Sequence, residues 1–417
     1  MAADTAEPGT PSGPLADVRV LDLSRILAGP WATQILADLG ADVIKVERPG
    51  KGDDTRGWGP PFYPAGDGSD GDAAYYMAAN RNKRSVALDI TTEEGQAQVR
   101  ALARRSDILV ENFKTGGLAK YGLDYASLKE VNPALVYCSI TGFGHSGPYR
   151  HRAGYDYLIQ AMGGLMSITG QPEGTPGGEP LKVGVAVSDL FSGMYAVTGI
   201  LAALHHARRT GEGQHLDVAL LDCQAAMLAN QAMNYFASGV PPRRMGNAHP
   251  NIVPYQVFAT ADGYVVLAVG NDVQFAALCR VAGAEELARD PAYATNKARV
   301  ANRTALIEIL SELIAGRTSA DWLAALEAEG VPCGPINDVA AVFADPQIKA
   351  REMVVDQQRD DLGTVRTVGS PLKFSATPVA YRRPPPALGA DTGDVLGALA
   401  GESAETMPPK RKPGTIT

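Results

Sequence analysis

The most informative hydrophobic pattern of this chain falls between residues 181 and 213. Val183 to Val187 is a short run rich in β-branched residues, which predicts a buried strand. From Leu190 to Leu204 apolar residues recur at helical spacing, at positions 190, 194, 197, 201 and 204. Two arginines at 208 and 209 and then Gly211 suit the C-terminal end of that helix. The pattern therefore predicts a strand followed by an amphipathic helix.

Asp189 lies at the predicted joint between this strand and this helix. Aspartate is a preferred N-cap, so one interpretation is that Asp189 accepts a hydrogen bond from a backbone N–H two or three residues further on. The other is functional, because open α/β sheets bind ligands at the carboxyl ends of their strands. The pattern alone leaves both roles open.

The N-terminal region predicts a βαβ unit. Val18 to Leu23 reads as a strand, Trp31 to Leu39 as a helix ended by Gly40, and Ala41 to Val46 as a second strand with Glu47 at its tip. A dinucleotide site has this layout and an acid that binds ribose, so an NAD-type protein is an alternative. The first turn, SRILAGP, however, lacks the G-x-G-x-x-G fingerprint.

A G-x-G-x-x-G pattern occurs later, at Gly142, Gly144 and Gly147. It follows a predicted strand, Ala134 to Ile140, but Pro148 comes next and no helix opens behind it. Without that helix the motif is weak evidence for a dinucleotide and is much more typical of a plain glycine loop.

The rest of the chain predicts a second domain. Residues 220–240 read as a mostly helical link, and Tyr255 to Thr260 with Gly263 to Val269 reads as a hairpin. Helices are predicted at Val273 to Val281, Arg299 to Leu313 and Ser319 to Glu327, and GVPCGPI at 330–336 as a linker. The predicted organisation is a flexible tail (1–14), a large domain (15–220), a linker (221–240), a small domain (241–330), a linker (331–345), a return to the large domain (346–400) and a flexible tail (401–417).

Composition narrows the partners. A net charge of −8 argues against a general nucleic-acid or anionic-membrane binder, so a polyanionic ligand would need a local basic cluster. The four scattered cysteines lack metal spacing, which favours reduced thiols in a cytoplasmic protein and no metal site. No apolar run is expected to reach membrane-spanning length, and the N-terminus does not read as a signal or transit peptide.

The segments VSDLFSGMYAVTGILAAL and TGEGQHLDVALLD resemble the class III CoA-transferases, the CaiB/BaiF family, and the resemblance extends from about Leu15 to Leu396. It implies that Asp189 is the catalytic nucleophile. It also implies an α/β fold, with a large Rossmann-like domain built from N- and C-terminal parts, a smaller α+β domain and an interlocked homodimer. Coenzyme A would enter as the acyl-CoA substrate, without metal, nicotinamide or flavin.

Four further segments, VLDLSRILAGP, VIKVERPG, NRNKRSVALD and ENFKTGGLAKYG, resemble parts of the family that line the CoA site. A charge run is also typical of a solvated face, but the phosphates of CoA need cations in an acidic protein. The resemblance implies nucleotide, phosphate and pantetheine contacts from Leu27, Ala28, Arg48, Lys83, Arg84, Asn112, Phe113 and Lys120. It also implies that the loop of Gly142, Phe143 and Gly144 approaches the thioester.

Three functions remain open at this stage. The first is CoA transfer through an aspartyl anhydride and an aspartyl-CoA thioester. The second is an α-methylacyl-CoA racemase, which needs a second acid/base; racemases carry Gly-His-Asp where this chain has Gly154-Tyr155-Asp156, and a tyrosine is a poor substitute at neutral pH. The third is a CoA-binding protein without activity.

The substrate prediction rests on segments such as GDDTRGWGPPF and NIVPYQVF, which resemble succinyl-CoA:glutarate CoA-transferases within the family. MGNAHPNIVPY replaces the glycine-tetrad loop of the oxalate enzymes, so a C4–C6 dicarboxylate is favoured. Its distal carboxylate needs a cationic or multiply donating partner. The candidate acceptor-binding residues are Tyr155, Arg56, Arg81, Arg243, Arg244 and His249.

Overall fold

The computed structural model describes residues 13–401, which divide into two compact units. The first unit takes the described chain up to Gly164, Val183–Ala229 and the described chain from Lys349 on; the second takes Leu165–Lys182 and Asn230–Ile348. The predicted large domain was continuous over 15–220, whereas residues 165–182 group with the second unit. The predicted tails at 1–14 and 401–417 lie outside the described residues, apart from residues 13, 14 and 401.

Thirteen strands occur in the described residues. In chain order they are β1 (Arg19–Asp22), β2 (Asp42–Glu47), β3 (Phe62–Pro64), β4 (Asp70–Ala73), β5 (Lys83–Ala87), β6 (Ile108–Glu111), β7 (Val136–Thr141), β8 (His215–Ala219), β9 (Tyr255–Ala259), β10 (Tyr264–Ala268), β11 (Cys333–Gly334), β12 (Val354–Arg359) and β13 (Gly363–Val368).

The helices are, in chain order, α1 (Ala28–Asp38), α2 (Ala74–Met77), α3 (Glu93–Arg104), α4 (Tyr125–Val131), α5 (Asp156–Met162), α6 (Leu165–Ile168), α7 (Val187–Thr210), α8 (Leu220–Met227), α9 (Ala229–Ser238), α10 (Asp272–Ala282), α11 (Glu286–Arg289), α12 (Asn296–Ala301), α13 (Arg303–Ala315), α14 (Ser319–Ala328), α15 (Val339–Ala344), α16 (Pro346–Ala350) and α17 (Thr392–Gly401). Short 3₁₀ turns cover Asp54–Gly57 and Ala119–Tyr121.

The first unit is built on a parallel sheet of order β5-β2-β1-β6-β7-β8. Side chains alternate across its faces, so Val20 packs in a core with α1 and α7 while Leu21 packs in a second core with α3 and α4. Both faces are therefore covered, as parallel sheets require. The predicted βαβ unit is confirmed, and the mixed α/β class with a parallel central sheet with it.

The helix that carries Asp189 ends as predicted, but it does not begin as predicted. Gly211 closes α7 in the left-handed conformation, with φ 81°. Residues 181–186 form no strand, so the strand predicted at Val183 to Val187 is wrong. A short β-branched run has strand propensity, but here no neighbouring strand pairs with it.

The predicted apolar stripe of α7 is only partly the buried one. Met194 is 46% exposed, whereas the buried face also uses small residues such as Ser192 and Ala196. The reason is close packing on α1: a Cβ at Gly193 would lie 2.8 Å from the Ala28 carbonyl oxygen. α7 is also long and apolar enough to cross a membrane, contrary to the prediction for this chain, but part of its surface is buried in the first unit.

In the second unit the predicted hairpin is confirmed as β9 and β10, paired antiparallel from Tyr264 with Ala259 to Ala268 with Tyr255. Cys333 and Gly334, predicted as linker, add a third strand beside β10. The helix predicted at Arg299 to Leu313 is split at Asn302 into α12 and α13.

The C-terminal segment closes one edge of the first unit's sheet. Asp391 and Thr392 accept hydrogen bonds from the backbone N–H groups of Ser85 and Ala87 on the edge strand β5. Edge strands expose unpaired backbone groups, so this segment of the same chain satisfies them.

Candidate active site

A cavity of about 690 Å³ opens at the carboxyl ends of the parallel strands in the first unit. Its walls come from the loops after β1, β2, β6 and β7 and from the first turn of α7. β1 and β6 are neighbours here, and the chain runs outward from them in opposite directions. This is the topological switch point where open α/β sheets bind ligands.

Asp189 lines this cavity as the third residue of α7 and is half-buried. It does not cap the helix. The Asp156 carboxylate caps it instead: its Oδ1 accepts from the N–H groups of Ser188 (2.7 Å) and Asp189 (3.3 Å), and its Oδ2 accepts from Gln160 (2.7 Å). A residue from α5 thus performs the role that the sequence suggested for Asp189, which leaves the Asp189 side chain available for other chemistry.

The electrostatics of Asp189 are those of an unsatisfied carboxyl. Burial and then the negative charge of Asp156 raise its pKa to about 7. Among the described residues, no side chain donates a hydrogen bond to the Asp189 carboxylate, whereas Asp156 accepts three. An ionised carboxylate with few partners is a strong nucleophile for its type.

The floor of the cavity is held by a buried ion pair. Lys45 Nζ lies 2.9 Å from Asp53 Oδ2, with both side chains fully buried, and also donates to the Ser24 carbonyl. Although burial opposes the effect, Lys45 lowers the pKa of Asp53 to about 2. The Asp53 carboxylate in turn accepts from the N–H of Ile26 at 3.1 Å and 3.2 Å.

Ile26 needs this support because its φ is 71°, in the left-handed region that β-branched residues rarely occupy. Such strain costs about 1–3 kcal/mol and persists only where the surroundings enforce it. The strained residue turns the chain from β1 into α1, so that Leu27 and Ala28 reach the cavity wall.

Two further contacts join the loops around the cavity. The Asn112 side chain accepts from the Arg25 N–H (2.9 Å) and donates to the Arg25 carbonyl (2.7 Å). Gly142 and Gly154 approach so closely that a Cβ on Gly142 would lie 2.5 Å from the Gly154 Cα. The walls therefore require both glycines.

The comparisons with known proteins bear on this arrangement. The family model for CoA-transferase family III matches residues 15–392. This chain belongs to CoA-transferase family III. The chain is 56% identical over 386 residues to a succinate–glutarate CoA-transferase of Agrobacterium fabrum, covering 93% of this chain and 96% of that protein.

Two other relatives agree with this family III assignment. A human succinyl-CoA:glutarate CoA-transferase is 44% identical over 383 residues, which cover 92% of this chain and 85% of that protein. The crystal structure of a CaiB/BaiF family protein from Brucella suis matches with a TM-score of 0.82 at 53% identity, covering 93% of this chain and all of that one. The chain is therefore a CoA-transferase, and the dinucleotide alternative is set aside.

In this family III CoA-transferase, about half of the residues predicted to form the site do meet at the cavity. Those that line it with Asp189 are Leu27, Ala28, Arg48, Asn112, Phe113, Lys120, Gly142 and Tyr155. Phe143 and Gly144 are not among its lining residues.

Four predicted basic residues have partners elsewhere. Lys83 is buried and donates to Asp22 and Asn80 and to the Pro30 carbonyl, and burial lowers its pKa to about 8. Arg84 pairs with Asp42, Arg81 with Asp38, and Arg56 with Glu47 and Asp72. Lys83, Arg81 and Arg56 are buried, where a cation must be paired, and Arg84 is partly buried; the contacts of all four are with the protein itself.

The remaining predicted acceptor residues, Arg243, Arg244 and His249, lie in the second unit. Arg244 donates to the carbonyls of Gln171 and Gly178 in that unit. The His249 carbonyl accepts from Arg303, and its Nδ1 accepts from the Asn251 N–H.

Sequence reasoning gave no site role to Asp156 or to the cavity-lining cations Arg25 and Arg152, and it noted Lys114 only as part of a basic run. Arg152 stacks over Phe143 and Tyr149, at 5.2 Å and 4.7 Å from the ring centroids, and has no ion pair with a described residue. Its place in the RAGYD segment, just before Asp156, was the available signal. Within residues 13–401 no group of three or more His, Cys, Asp or Glu side chains is arranged to hold a metal ion.

Asp53→Ala should destabilise the first unit by about 3–5 kcal/mol, because it removes the hydrogen-bonded counter-ion of the buried Lys45 and the acceptor of the Ile26 N–H. Its neighbour Asp54 provides the matched control, since it pairs with the exposed Arg25 and its loss should cost about 0–1 kcal/mol. Urea denaturation of both variants measures the difference. Equal effects would show that the buried pair does not support the cavity floor.

Proposed function

We propose that this CoA-transferase moves CoA from succinyl-CoA to glutarate or another C4–C6 dicarboxylate, with Asp189 as the nucleophile. The observation that carries the proposal is the position of Asp189, at the switch-point cavity and without a hydrogen-bond donor among the described side chains. The bacterial and human relatives named for succinate or succinyl-CoA and glutarate support the substrate pair.

The reaction needs only the carboxylate and the two substrates. The Asp189 carboxylate attacks the thioester carbonyl and the C–S bond breaks. The CoA thiolate departs, and a mixed anhydride between Asp189 and the acyl group remains. The thiolate attacks the aspartyl carbonyl of the anhydride and releases the first acid as a carboxylate, which leaves an aspartyl-CoA thioester. The acceptor carboxylate attacks this thioester, which releases the CoA thiolate and forms a second mixed anhydride. The thiolate then attacks the acceptor's carbonyl in that anhydride, which gives the new acyl-CoA and regenerates the Asp189 carboxylate.

Some cations that line the cavity are paired with carboxylates of the protein and others are not, and the unpaired ones support a CoA site. Lys45 on the floor is paired, but Arg48, Lys114 and Lys120 are exposed and form no ion pair with any described residue. Phosphates bind such unpaired cations without breaking an existing pair. We therefore assign these three residues to the phosphates of CoA.

Arg152 is our candidate for the distal carboxylate of the acceptor. It shares the cavity with Asp189, and Arg56 and Arg81 already hold carboxylates of the protein. Tyr155, beside Arg152 in the wall, is the second contact.

The racemase alternative is not favoured. The position where racemases carry histidine is Tyr155, which is 62% exposed, and a tyrosine is a poor substitute for histidine as a base at neutral pH. A CoA-binding protein without activity would differ from a transferase in showing no exchange of labelled succinate into succinyl-CoA.

Asp189→Asn should abolish CoA exchange and should also stabilise the fold above pH 7. The folded carboxyl titrates at about 7 and the unfolded one near 3.8, so wild type loses stability relative to the Asn variant as pH rises from about 4 to 7. The full difference is at most about 4 kcal/mol, at about 1.4 kcal/mol per pH unit. Exchange of labelled succinate into succinyl-CoA and thermal melts between pH 5 and pH 8 test both effects.

Asp222→Asn is the matched control, because Asp222 is an exposed carboxylate at the same position of the first turn of α8. It should change neither exchange nor melting. Exchange that survives in Asp189→Asn would overturn the nucleophile, and wild-type protein without exchange would favour the inactive alternative.

Arg152→Met should raise the KM for glutarate by roughly tenfold or more, as expected for losing a hydrogen bond to a charged group (about 1.5–3 kcal/mol). The KM for a monocarboxylate of similar length should stay within about twofold, because it makes no such contact. Arg150→Met, a neighbouring exposed arginine outside the cavity, is the control. An increase confined to the KM for succinyl-CoA would instead assign Arg152 to CoA.

We also propose a homodimer, cytoplasmic as its four free thiols suggest. Large apolar side chains stay exposed on α5 and α7, among them Tyr157, Leu158, Phe191 and Met194. Large apolar side chains left exposed on two helices in contact favour an interaction face. Light scattering at micromolar concentration should give a mass of about 88 kDa, twice the 43.8 kDa of one chain, and a monomer mass would contradict this.

A further inference from the structure

A second cluster of polar side chains lies beside the CoA cavity and takes no part in the proposed reaction. It consists of Glu111, Ser139, His145, His215 and Asp217, and we call it the β6–β8 cluster. It borders a separate cavity of about 280 Å³, and Lys114 and Gly117 line both cavities. The register of the sheet places Glu111 beside Ser139 and Ser139 beside Asp217, so three polar side chains adjoin across three strands.

The cluster joins the two loops that carry Phe113 and Gly142 to the CoA cavity. On one side, Glu111 Oε2 accepts from the Phe113 N–H at 2.7 Å. On the other, Asp217 Oδ2 accepts from the His145 N–H at 2.8 Å, at the end of the glycine loop.

Between these ends the contacts are continuous. Ser139 Oγ lies 2.9 Å from His215 Nε2, and the His215 ring contacts the His145 ring edge-on with centroids 4.9 Å apart. Thr115 Oγ1 donates to the Gly144 carbonyl at 3.4 Å, which is a second contact between the Phe113 loop and the glycine loop.

Glu111 is the deeply buried carboxyl of the cluster. It is 4% exposed, and burial raises its pKa to about 7, with Asp217 adding to the rise. Hydrogen bonding by Ser139 and by the Phe113 N–H opposes it. The charged or titratable groups that face Glu111 or share its cavity are Tyr137, Cys138, His215 and Asp217 on the neighbouring strands, Lys114 in the next loop, Asp124 and Tyr125 at the start of α4, and His145.

The charge of Glu111 determines which hydrogen bonds the other members of the cluster can make. The Ser139 hydroxyl has one proton and can donate in one direction only. When Glu111 is ionised, Ser139 donates to the carboxylate and His215 must donate from Nε2. When Glu111 is protonated, Ser139 is free to donate to His215, and the carboxyl accepts the Phe113 N–H as a neutral, weaker acceptor.

We propose that Glu111 is a positioning residue whose ionised form holds the Phe113 loop, and through it the pantetheine wall of the cavity, in the CoA-binding arrangement. This rests on the proposed CoA site. CoA affinity should therefore rise with pH as Glu111 ionises, by about fivefold, the ratio expected between a charge-assisted and a neutral hydrogen bond.

The test measures the Kd of CoA by calorimetry from pH 6 to pH 8.5 in the Asp189→Asn variant, where Asp189 no longer titrates. Adding Glu111→Gln, which mimics the protonated acid, should weaken CoA binding about fivefold at pH 8 and leave it unchanged at pH 6. Glu130→Gln, an exposed glutamate on α4, is the control. Ser139→Ala should move the midpoint of the pH profile upward, because Ser139 lowers the pKa of Glu111.

Misfolding is separated by a melting curve. Glu111→Gln removes a carboxyl that is costly to ionise when buried, so it should melt at or above the parent variant at pH 8 while it binds CoA less well. Identical Kd values at every pH, or equal weakening at every pH, would overturn the proposal. Absence of CoA binding in the Asp189→Asn parent itself would overturn the CoA site and the proposal with it.

Discussion

The site depends on how two neighbouring carboxylates share the start of α7. Asp156 accepts hydrogen bonds from two backbone N–H groups of that helix and from Gln160, so its negative charge is compensated locally. Asp189, in the first turn of the same helix, is half-buried beside this like charge without comparable donors, and its pKa rises to about 7. Environments that treat two adjacent carboxyls differently are how active sites separate a structural acid from a reactive one. The unsatisfied carboxyl is also costly to fold, which is the usual relation between activity and stability.

The second constraint is the covered parallel sheet, which sorts the basic residues of an acidic chain. Cations within the strands lie in a covered sheet and must be paired, as Lys45 of β2 is with Asp53 and Lys83 of β5 with Asp22. Cations in the loops beyond the strands, such as Arg48 and Lys114, are exposed and have no ion pair with a described residue. Whether a basic residue can bind a polyanion therefore depends on its place in a loop or a strand, and not on how many basic residues lie nearby.

This sorting explains which predictions from sequence succeeded. The βαβ unit, the β9–β10 hairpin and the end of α7 at Gly211 follow from local signals that need no partner. Lys83 and Arg84 could not be separated from Arg48 by sequence, because their partners Asp22 and Asp42 lie 61 and 42 residues away. The capping of α7 by Asp156 is likewise a contact between residues 32 positions apart in the chain. For that reason the sequence could not show that Asp156, and not Asp189, caps this helix. The strand predicted at Val183 to Val187 failed for the related reason that a strand exists only where another pairs with it.

The same logic accounts for why Glu111 and Asp189 both titrate near neutrality although only one faces the reacting atoms. Both are carboxyls at the carboxyl end of the sheet or just beyond it, where burial is high, and neither has a cationic partner among the described residues. A cation beside Asp189 would lower its pKa but would also weaken it as a nucleophile. A cation beside Glu111 would fix the carboxylate and remove its response to pH. The absence of a paired cation at each position is therefore consistent with a reactive group in one case and an adjustable anchor in the other, and it contrasts with Glu47, which is secured by Arg56 within the same sheet.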